Sequence, residues 1–217
     1  CLQSNNFVPR VLLNLDRLTL SDPVAATCFS GEVLRAIIPL GPPLSHSGRE
    51  DVSKPKIGFI GLGYMGSAMV ECLQGAGYDL IVLGNRDRTG VEAALARGAS
   101  EVANAREVAE GADIVMFCMG SSDHVESRVY GDDGVLAGVS EGQIVIDFGT
   151  SLPGSTLKIG ADLAKKGAHY LDAPLGRTPA HAAKGLLNIM CAGEKAIYDK
   201  VKPELDTLGE NVFHLGE

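Results

Sequence analysis

The sequence contains no tryptophan, few other aromatic residues and no excess of positive charge. Aromatic residues make up 5% of its 217 residues. Lys and Arg number 19 against 27 Asp and Glu, which gives a formal net charge of −8. A protein with this balance repels phosphate backbones and anionic lipid. The composition therefore argues against nucleic-acid and membrane-surface partners.

The sequence also lacks a long hydrophobic run and a cysteine framework. No stretch of about 18 apolar residues occurs, so no membrane-spanning helix is predicted. The five cysteines lie far apart and form no CxxC pair. We interpret them as reduced thiols and predict a cytoplasmic location. Hydrophobic residues nevertheless make up 45% of the chain, which is enough for a folded core and excludes general disorder.

Residues 1–55 differ in pattern from the rest of the chain. Their apolar residues keep neither a period of 2 nor a period of 3.6 for long, and Pro39, Pro42, Pro43 and Pro55 interrupt the later part. We predict a poorly ordered extension here, with an ordered partner-binding arm or a targeting segment as alternatives. Residues 56–217 are predicted to form one domain.

From Lys56 onwards, short apolar strands alternate with helical patterns. Strands are predicted at 57–60, 80–83, 113–119, 143–148, 168–172, 186–192 and 212–214. Helices are predicted at 65–73, 89–96, after Ser122, at 156–166 and at 195–208. Such alternation predicts parallel βαβ crossovers with helices on both faces of a sheet. The predicted fold class is α/β, a doubly wound and mostly parallel sheet of the Rossmann type.

A glycine-rich turn lies between the first predicted strand and the first helix. Its residues form a GxGxxG motif: Gly61, Leu62, Gly63, Tyr64, Met65 and Gly66. In this position the first glycine permits a sharp turn, the second leaves room for a pyrophosphate, and the third packs the helix on the strand. The free N–H groups and the dipole of the helix favour phosphate. We predict that these six residues bind a dinucleotide, with a turn that serves packing alone as the alternative.

The residues after the second predicted strand bear on which dinucleotide is bound. A carboxylate there binds the ribose 2′-OH of NAD, whereas an arginine binds the 2′-phosphate of NADP. The sequence has Asn85, Arg86, Asp87 and Arg88 at this position. Arg86 offers a planar donor pair, Asn85 a further donor and Arg88 a nearby charge, so NADP is the predicted cofactor. NAD is the alternative cofactor, because the carboxylate of Asp87 could bind the ribose 2′-OH instead. The alternative for the arginines is that they are solvated charges of the loop without a role in binding.

Four blocks of the sequence carry a resemblance to a known family: 56–69, 147–153, 172–178 and 185–193. In these blocks the chain resembles the β-hydroxyacid dehydrogenases, which include 3-hydroxyisobutyrate dehydrogenase, glyoxylate/succinic semialdehyde reductase and sulfolactaldehyde reductase. The resemblance covers residues 56–217. It implies a Rossmann-type cofactor domain and hydride transfer between NAD(P) and a small anionic hydroxy acid or its aldehyde. No metal site is predicted.

The resemblance also implies roles for residues outside the glycine turn. Met119 and Ser121 would border the adenosine and the nicotinamide ribose of the cofactor. Thr150 would lie near the nicotinamide and the substrate. In the substrate block, Gly176, Arg177 and Thr178 would receive the anionic group of the substrate. An ion pair within the loop is the alternative for Arg177.

The catalytic lysine of the family lies in a Gly-x-Gly-x-x-x-Lys-x-x-Asn motif that the 217 residues do not contain. We therefore assign no catalytic residue, and we expect the helical C-terminal domain of the family to be absent from this chain. General acid–base assistance is worth roughly 10²–10⁴-fold in rate. We expect an NADP-binding domain with weak or no turnover, or alternatively a non-catalytic dinucleotide-binding module or sensor. A homo-oligomer is expected only where the helical domain is present.

Overall fold

The structure is a computed structural model, and it describes residues 54–217. The poorly ordered extension predicted at 1–55 lies outside the described residues except for its last two positions. Its boundary at residue 55 and its lack of order therefore stay predictions. Within residues 54–217, no helix combines the length and the apolar character that crossing a bilayer requires.

A six-stranded parallel sheet lies at the centre of the described region. Its strands are β1 (Ile57–Ile60), β2 (Leu80–Leu83), β3 (Ser100–Val102), β4 (Ile114–Phe117), β5 (Ile144–Asp147) and β6 (His169–Asp172). Their spatial order is β3-β2-β1-β4-β5-β6, and every neighbouring pair is parallel. The first strand, β1, lies in the middle of the sheet, and the chain then winds to one edge and afterwards to the other. This is the doubly wound Rossmann order, so the predicted fold class is confirmed.

Helices cover both faces of this sheet. They are α1 (Tyr64–Gly75), α2 (Thr89–Ala96), α3 (Ala105–Gly111), α4 (Ser122–Val129), α5 (Val135–Gly138) and α6 (Pro153–Ala164). Successive strand residues point to opposite faces: Phe59 is buried in one apolar cluster with Met69 of α1, and Ile60 in the other with Val108 of α3. Each fully buried side chain of this size stabilises the fold by about 1.5–3 kcal/mol.

A second, three-stranded sheet follows the first. It contains β7 (Leu175–Gly176), β8 (Leu187–Cys191) and β9 (Gly209–His214), with α7 (Pro179–Ala182) and α8 (Lys195–Leu208) in the connections. Strand β8 pairs antiparallel with β7 and parallel with β9. An isolated bridge between Asp172 and Ala192 links this sheet to the end of β6. The sequence indicated strands here but not that they form a separate sheet.

Candidate dinucleotide-binding site

A cleft of about 240 Å³ lies at the carboxyl ends of β1, β2 and β4. Its walls are the glycine turn, the loop after β2, the loop after β4 and two residues of α4, His124 and Arg128. Strands β2 and β4 flank β1 in the sheet, so the chain turns in opposite directions on the two sides of the cleft. Open α/β sheets bind ligands at such a topological switch point.

The three glycines of the turn differ in what surrounds them. Gly61 has a φ of 103°, and a Cβ there would lie 2.3 Å from the carbonyl oxygen of Cys118. A Cβ at Gly66 would lie 1.9 Å from the carbonyl oxygen of Gly61. A Cβ at Gly63 would have no atom within 4 Å. The first and third glycines therefore serve close packing, and the second presents bare backbone to open space, which fits a pyrophosphate.

The start of α1 adds donors to the same place. Its N-cap is Gly63, which offers no side-chain acceptor, and the first turn of α1 contains no acidic residue. The first N–H groups of the helix therefore have no side-chain partner from the cap, and the helix dipole favours an anion beside them. The Ser67 hydroxyl donates to the carbonyl of Leu62 at 2.8 Å and steadies the turn. The residues present thus fit the phosphates of a dinucleotide.

The structure brings together some of the predicted cofactor residues and not others. Those that line the cleft are Gly61, Leu62, Gly63, Asn85 and Met119. Those that do not line it are Tyr64, Met65, Gly66, Arg86, Ser121 and Thr150. Tyr64 is 94% exposed and Met65 packs against the core, and neither side chain lines the cleft. The binding roles of all these residues stay predictions.

The loop after β2 holds its charges in place by local contacts. The Asn85 side chain accepts a hydrogen bond from the Arg86 N–H at 2.8 Å. The Thr89 N–H donates to Asp87 at 3.0 Å, and this bond lowers the pKa of the Asp87 carboxyl. Arg88 binds Glu101 of β3 through two hydrogen bonds, of 2.5 and 2.9 Å. The charge that Arg88 was expected to add near the phosphate is therefore engaged in a surface ion pair.

The loop after β4 forms the facing wall. Burial and the nearby Asp147 raise the pKa of the Cys118 thiol to about 12, so a neutral thiol borders the cleft. Ser121 caps α4, since its hydroxyl accepts a hydrogen bond from the His124 N–H at 3.4 Å. This cap fixes the direction in which α4 leaves the loop.

Among the missed residues that line the cleft, two have polar side chains, His124 and Arg128. Both belong to α4 and are four residues apart, a spacing that places them on one face of the helix. The available signal was this spacing within the helix predicted after Ser122.

A buried carboxylate organises the turn that carries Thr150. Asp147 is fully buried and accepts three hydrogen bonds, from the Gly149 N–H at 2.8 Å, the Ser151 hydroxyl at 2.7 Å and the Tyr170 hydroxyl at 3.3 Å. Burial and the charge of Asp147 raise the pKa of Tyr170, which therefore stays a hydrogen-bond donor. Thr150 is exposed at the tip of this turn.

Three of the predicted substrate residues, Gly176, Arg177 and Thr178, lie in the second sheet and its first connection. Gly176 ends β7, and Arg177 has a φ of 83°, a conformation that is rare for a residue with a side chain. The Arg177 guanidinium lies 2.5 Å from Glu210 of β9 and donates to the carbonyl of Leu186 at 2.8 Å. Thr178 lies 2.8 Å from the Nδ1 atom of His181. The structure thus places Arg177 in the loop ion pair that was the alternative to substrate binding.

A larger cavity, of about 570 Å³, lies between α6 and β6. It contains none of the residues predicted to bind cofactor or substrate. The Oδ1 atom of Asp172 and the Oγ1 atom of Thr156 are buried in its walls, and neither has a hydrogen-bond partner among the described residues. Burial and Asp147 raise the pKa of Asp172. Within residues 54–217 no group of three or more His, Cys, Asp or Glu is placed to hold a metal ion.

Comparison with known proteins agrees with this geometry. Residues 56–216 match the family described as the NAD binding domain of 6-phosphogluconate dehydrogenase. The chain belongs to this family. This NAD-binding domain is 38% identical over 161 residues to the NAD-dependent L-serine dehydrogenase of Pseudomonas aeruginosa, a match that covers 74% of this chain and 54% of that protein.

Two solved structures show the same architecture. The 3-hydroxyisobutyrate dehydrogenase of Mycobacterium tuberculosis, in a structure with L-serine, is 28% identical with a TM-score of 0.69, over 75% of this chain and 54% of that one. Psf3 in complex with NADP+ and 2-OPP is 28% identical with a TM-score of 0.70, over 74% of this chain and 57% of that one. The chain spans about half the length of the curated relatives it matches. The resemblance to β-hydroxyacid dehydrogenases is confirmed, and with it the nicotinamide dinucleotide as the cofactor of this NAD-binding domain.

Proposed function

We propose that this chain binds NADP in preference to NAD and serves as the cofactor domain of an oxidoreductase that acts on a small anionic hydroxy acid or its aldehyde. The observation that carries the proposal is the bare backbone at Gly63, which faces the cleft beside the start of α1. A pyrophosphate requires this combination of close approach and free N–H donors. The substrate class is supported by the relatives, whose names state action on L-serine and 3-hydroxyisobutyrate.

The preference for NADP depends on the loop after β2. Arg86 is exposed and belongs to no ion pair of residues 54–217, so its guanidinium is available to a phosphate. Asn85 lines the cleft beside it and carries an amide donor. The carboxylate of Asp87 lines the same cleft and opposes a phosphate, which is why the preference requires a direct test.

In the proposed reaction, the residues of this chain bind and orient the reactants. A bound nicotinamide supplies or accepts the hydride. Met119 lines the cleft, and the buried hydrogen bonds of Asp147 hold the turn of Thr150 beyond β5. Arg177 receives the substrate carboxylate only after its ion pair with Glu210 opens. That exchange replaces one carboxylate by another, so the guanidinium keeps a charged partner throughout.

A second candidate, a non-catalytic dinucleotide-binding module, is favoured by a separate observation. Among the described residues that line the cleft there is no lysine, so these residues supply no lysine that could act as a general acid. Without such a group, we expect turnover to be lower by roughly 10²–10⁴-fold than with it.

Titration followed by an activity assay separates the two candidates. NADPH and NADH are titrated into the full chain, and NADPH oxidation is then followed with glyoxylate, succinic semialdehyde and sulfolactaldehyde. Saturable oxidation supports the oxidoreductase, binding without oxidation supports the module, and failure to bind either dinucleotide contradicts both.

The charge reversal Arg86→Glu tests the cofactor preference. We expect it to weaken NADPH binding more than NADH binding, because only NADPH carries the 2′-phosphate. Lys200→Glu is the matched control, since Lys200 is exposed on α8 and does not line the cleft. Equal weakening of both dinucleotides by Arg86→Glu would contradict the role of Arg86.

A further inference from the structure

Among the described residues that line the cleft, Arg128 alone carries a permanent positive charge. Neither Arg86 nor Arg88 lines the cleft, and Arg88 is held by Glu101. The permanent positive charge of the cleft therefore comes from α4 and not from the loop after β2, where the sequence rule places it.

Arg128 is half-buried and belongs to no ion pair of residues 54–217. Asp132 and Asp133 line a neighbouring cavity together with Arg128, but neither is within ion-pair distance of it. A partly buried charge without a close partner is costly, and an anionic ligand removes that cost. The guanidinium of Arg128 is thus free of a carboxylate partner at the cleft and available to an anionic ligand.

The opposite wall of the cleft carries a carboxylate. Asp87 lines the cleft, and the hydrogen bond from the Thr89 N–H lowers the pKa of its carboxyl, so it is ionised at neutral pH. A carboxylate in this loop favours a ribose 2′-OH and repels a 2′-phosphate. A 2′-phosphate in this cleft therefore needs a cation that offsets Asp87, and among the described residues that line the cleft Arg128 is the one that carries a permanent positive charge.

We propose that Arg128 discriminates between the two cofactors by binding the 2′-phosphate of NADP from the α4 wall, an inference that rests on the proposed function. Strands β2 and β4 lie on either side of β1, so α4 faces the loop of Asn85 and Asp87 across the glycine turn. The planar guanidinium donates two hydrogen bonds to one phosphate. His124, one helical turn earlier on the same face, adds a further donor.

The test compares dinucleotides and fragments that differ only in the 2′-phosphate. Dissociation constants of NADPH, NADH, 2′,5′-ADP and 5′-AMP are measured by calorimetry on the full chain and on Arg128→Ala. We expect the variant to bind NADPH and 2′,5′-ADP about 10- to 100-fold more weakly, the effect of one charge-assisted contact. Binding of NADH and 5′-AMP changes less than about twofold.

Matched variants separate charge from geometry. Arg128→Lys keeps the charge but loses the planar fork, so its NADPH affinity falls between those of the wild type and Arg128→Ala. Arg128→Gln keeps most of the side-chain length and replaces Arg128→Ala should that variant fail to fold, as checked by thermal unfolding. Lys200→Ala removes one positive charge outside the cleft and leaves every affinity unchanged.

The outcomes distinguish this inference from the proposed function. Unchanged NADPH affinity in the Arg128 variants, or an equal loss for NADPH and NADH, overturns the inference while NADP binding itself stands. A wild-type chain that binds neither dinucleotide contradicts the proposed function, and the inference with it.

Discussion

A methyl group at Gly66 is expected to lower the stability of the fold, whereas one at Gly63 is expected to weaken cofactor binding, although both residues belong to the same turn. In Gly66→Ala the new Cβ would lie 1.9 Å from the carbonyl oxygen of Gly61, and the gap must widen to at least 3.0 Å. The obstacle is backbone, which cannot rotate away as a side chain can. Gly61 is itself pressed against the carbonyl of Cys118, so α1 must move away from β1.

The magnitude follows from two opposing terms. Overpacking of a well-packed site costs about 1–3 kcal/mol, and a contact with fixed backbone belongs at the upper end. Alanine recovers about 1 kcal/mol over glycine inside a helix. We therefore expect Gly66→Ala to lower the free energy of unfolding by about 2 kcal/mol, and the melting temperature by about 4–8 °C for a domain of this size.

Gly63→Ala is the matched variant. Its backbone conformation, with φ of −71° and ψ of −168°, is open to alanine, and the methyl group meets no atom within 4 Å. We expect its stability to stay within about 0.5 kcal/mol of the wild type. The methyl group occupies the space through which the pyrophosphate approaches, so NADPH affinity falls about 10-fold or more.

Urea denaturation and NADPH titration of both variants provide the check. A Gly66→Ala chain as stable as the wild type would show that the turn has room for a side chain. A Gly63→Ala chain with wild-type affinity for NADPH would show that the pyrophosphate lies elsewhere, which would refute the assignment of the cleft.

Two aspartates at the ends of neighbouring strands are expected to respond in opposite ways to the change to asparagine. Asp147→Asn gives the donors of Gly149, Ser151 and Tyr170 a poorer acceptor. We therefore expect urea denaturation at pH 7 to show a free energy of unfolding that is lower by at least about 1.5 kcal/mol. A variant as stable as the wild type would contradict the role of this buried network. Burial and the charge of Asp147 raise the pKa of Asp172 in the folded state above its ordinary value of 3.8. The wild type therefore loses stability as the pH rises from 3.8 through the raised pKa, because the folded state must then give up a proton that it binds more tightly than the unfolded state does. Asp172→Asn has no proton to lose at this position, so it lacks this pH-dependent loss. The variant should therefore be the more stable at pH 7 and equal to the wild type below pH 3.8, and parallel pH profiles of melting temperature would contradict this.

The strands that were predicted from the sequence include all four in which every residue is buried. All four residues of β1, β2, β4 and β5 are buried, and an unbroken apolar run is readable without knowledge of the fold. Strand β3 was missed because it has three residues, two of them exposed, and pairs only with β2 at the edge of the sheet. Strand β7 has two residues, which are too few to show a period.

Helix α3 was also missed, although its sequence contains a local signal. The Asn104 side chain accepts a hydrogen bond from the Glu107 N–H, and the Glu107 carboxylate accepts one from the Ala103 N–H. This arrangement is similar to a capping box, with Asn in place of Ser or Thr and with the Ala103 N–H, one residue before the cap, as the donor to Glu107. A search for the spacing Asn-x-x-Glu, rather than for apolar periodicity alone, would have found the start of the helix.

In the candidate site, too, features that depend on neighbouring residues were predictable from the sequence, and features that depend on distant contacts were not. The glycine turn was predictable because the shape that phosphate binding requires is encoded by six consecutive residues, Gly61 to Gly66. The arginines that can bind a phosphate or a carboxylate were not predictable, because each guanidinium is available only where no carboxylate elsewhere in the chain already binds it. Arg88 pairs with a carboxylate 13 residues away, and Arg177 with one 33 residues away.

The sequence indicates only how close an arginine is to a motif, whereas the fold shows whether a carboxylate already binds it. Arg88 is close to the predicted cofactor site in the sequence, but it is paired with Glu101. Arg128 is far from the motif in the sequence, but it lines the cleft and has no ion-pair partner among residues 54–217. An engaged guanidinium must give up its carboxylate before it binds a phosphate, so the two bonds to Glu101 oppose any contribution of Arg88 to affinity. Cofactor preference in this chain should therefore be more sensitive to Arg128 than to Arg88.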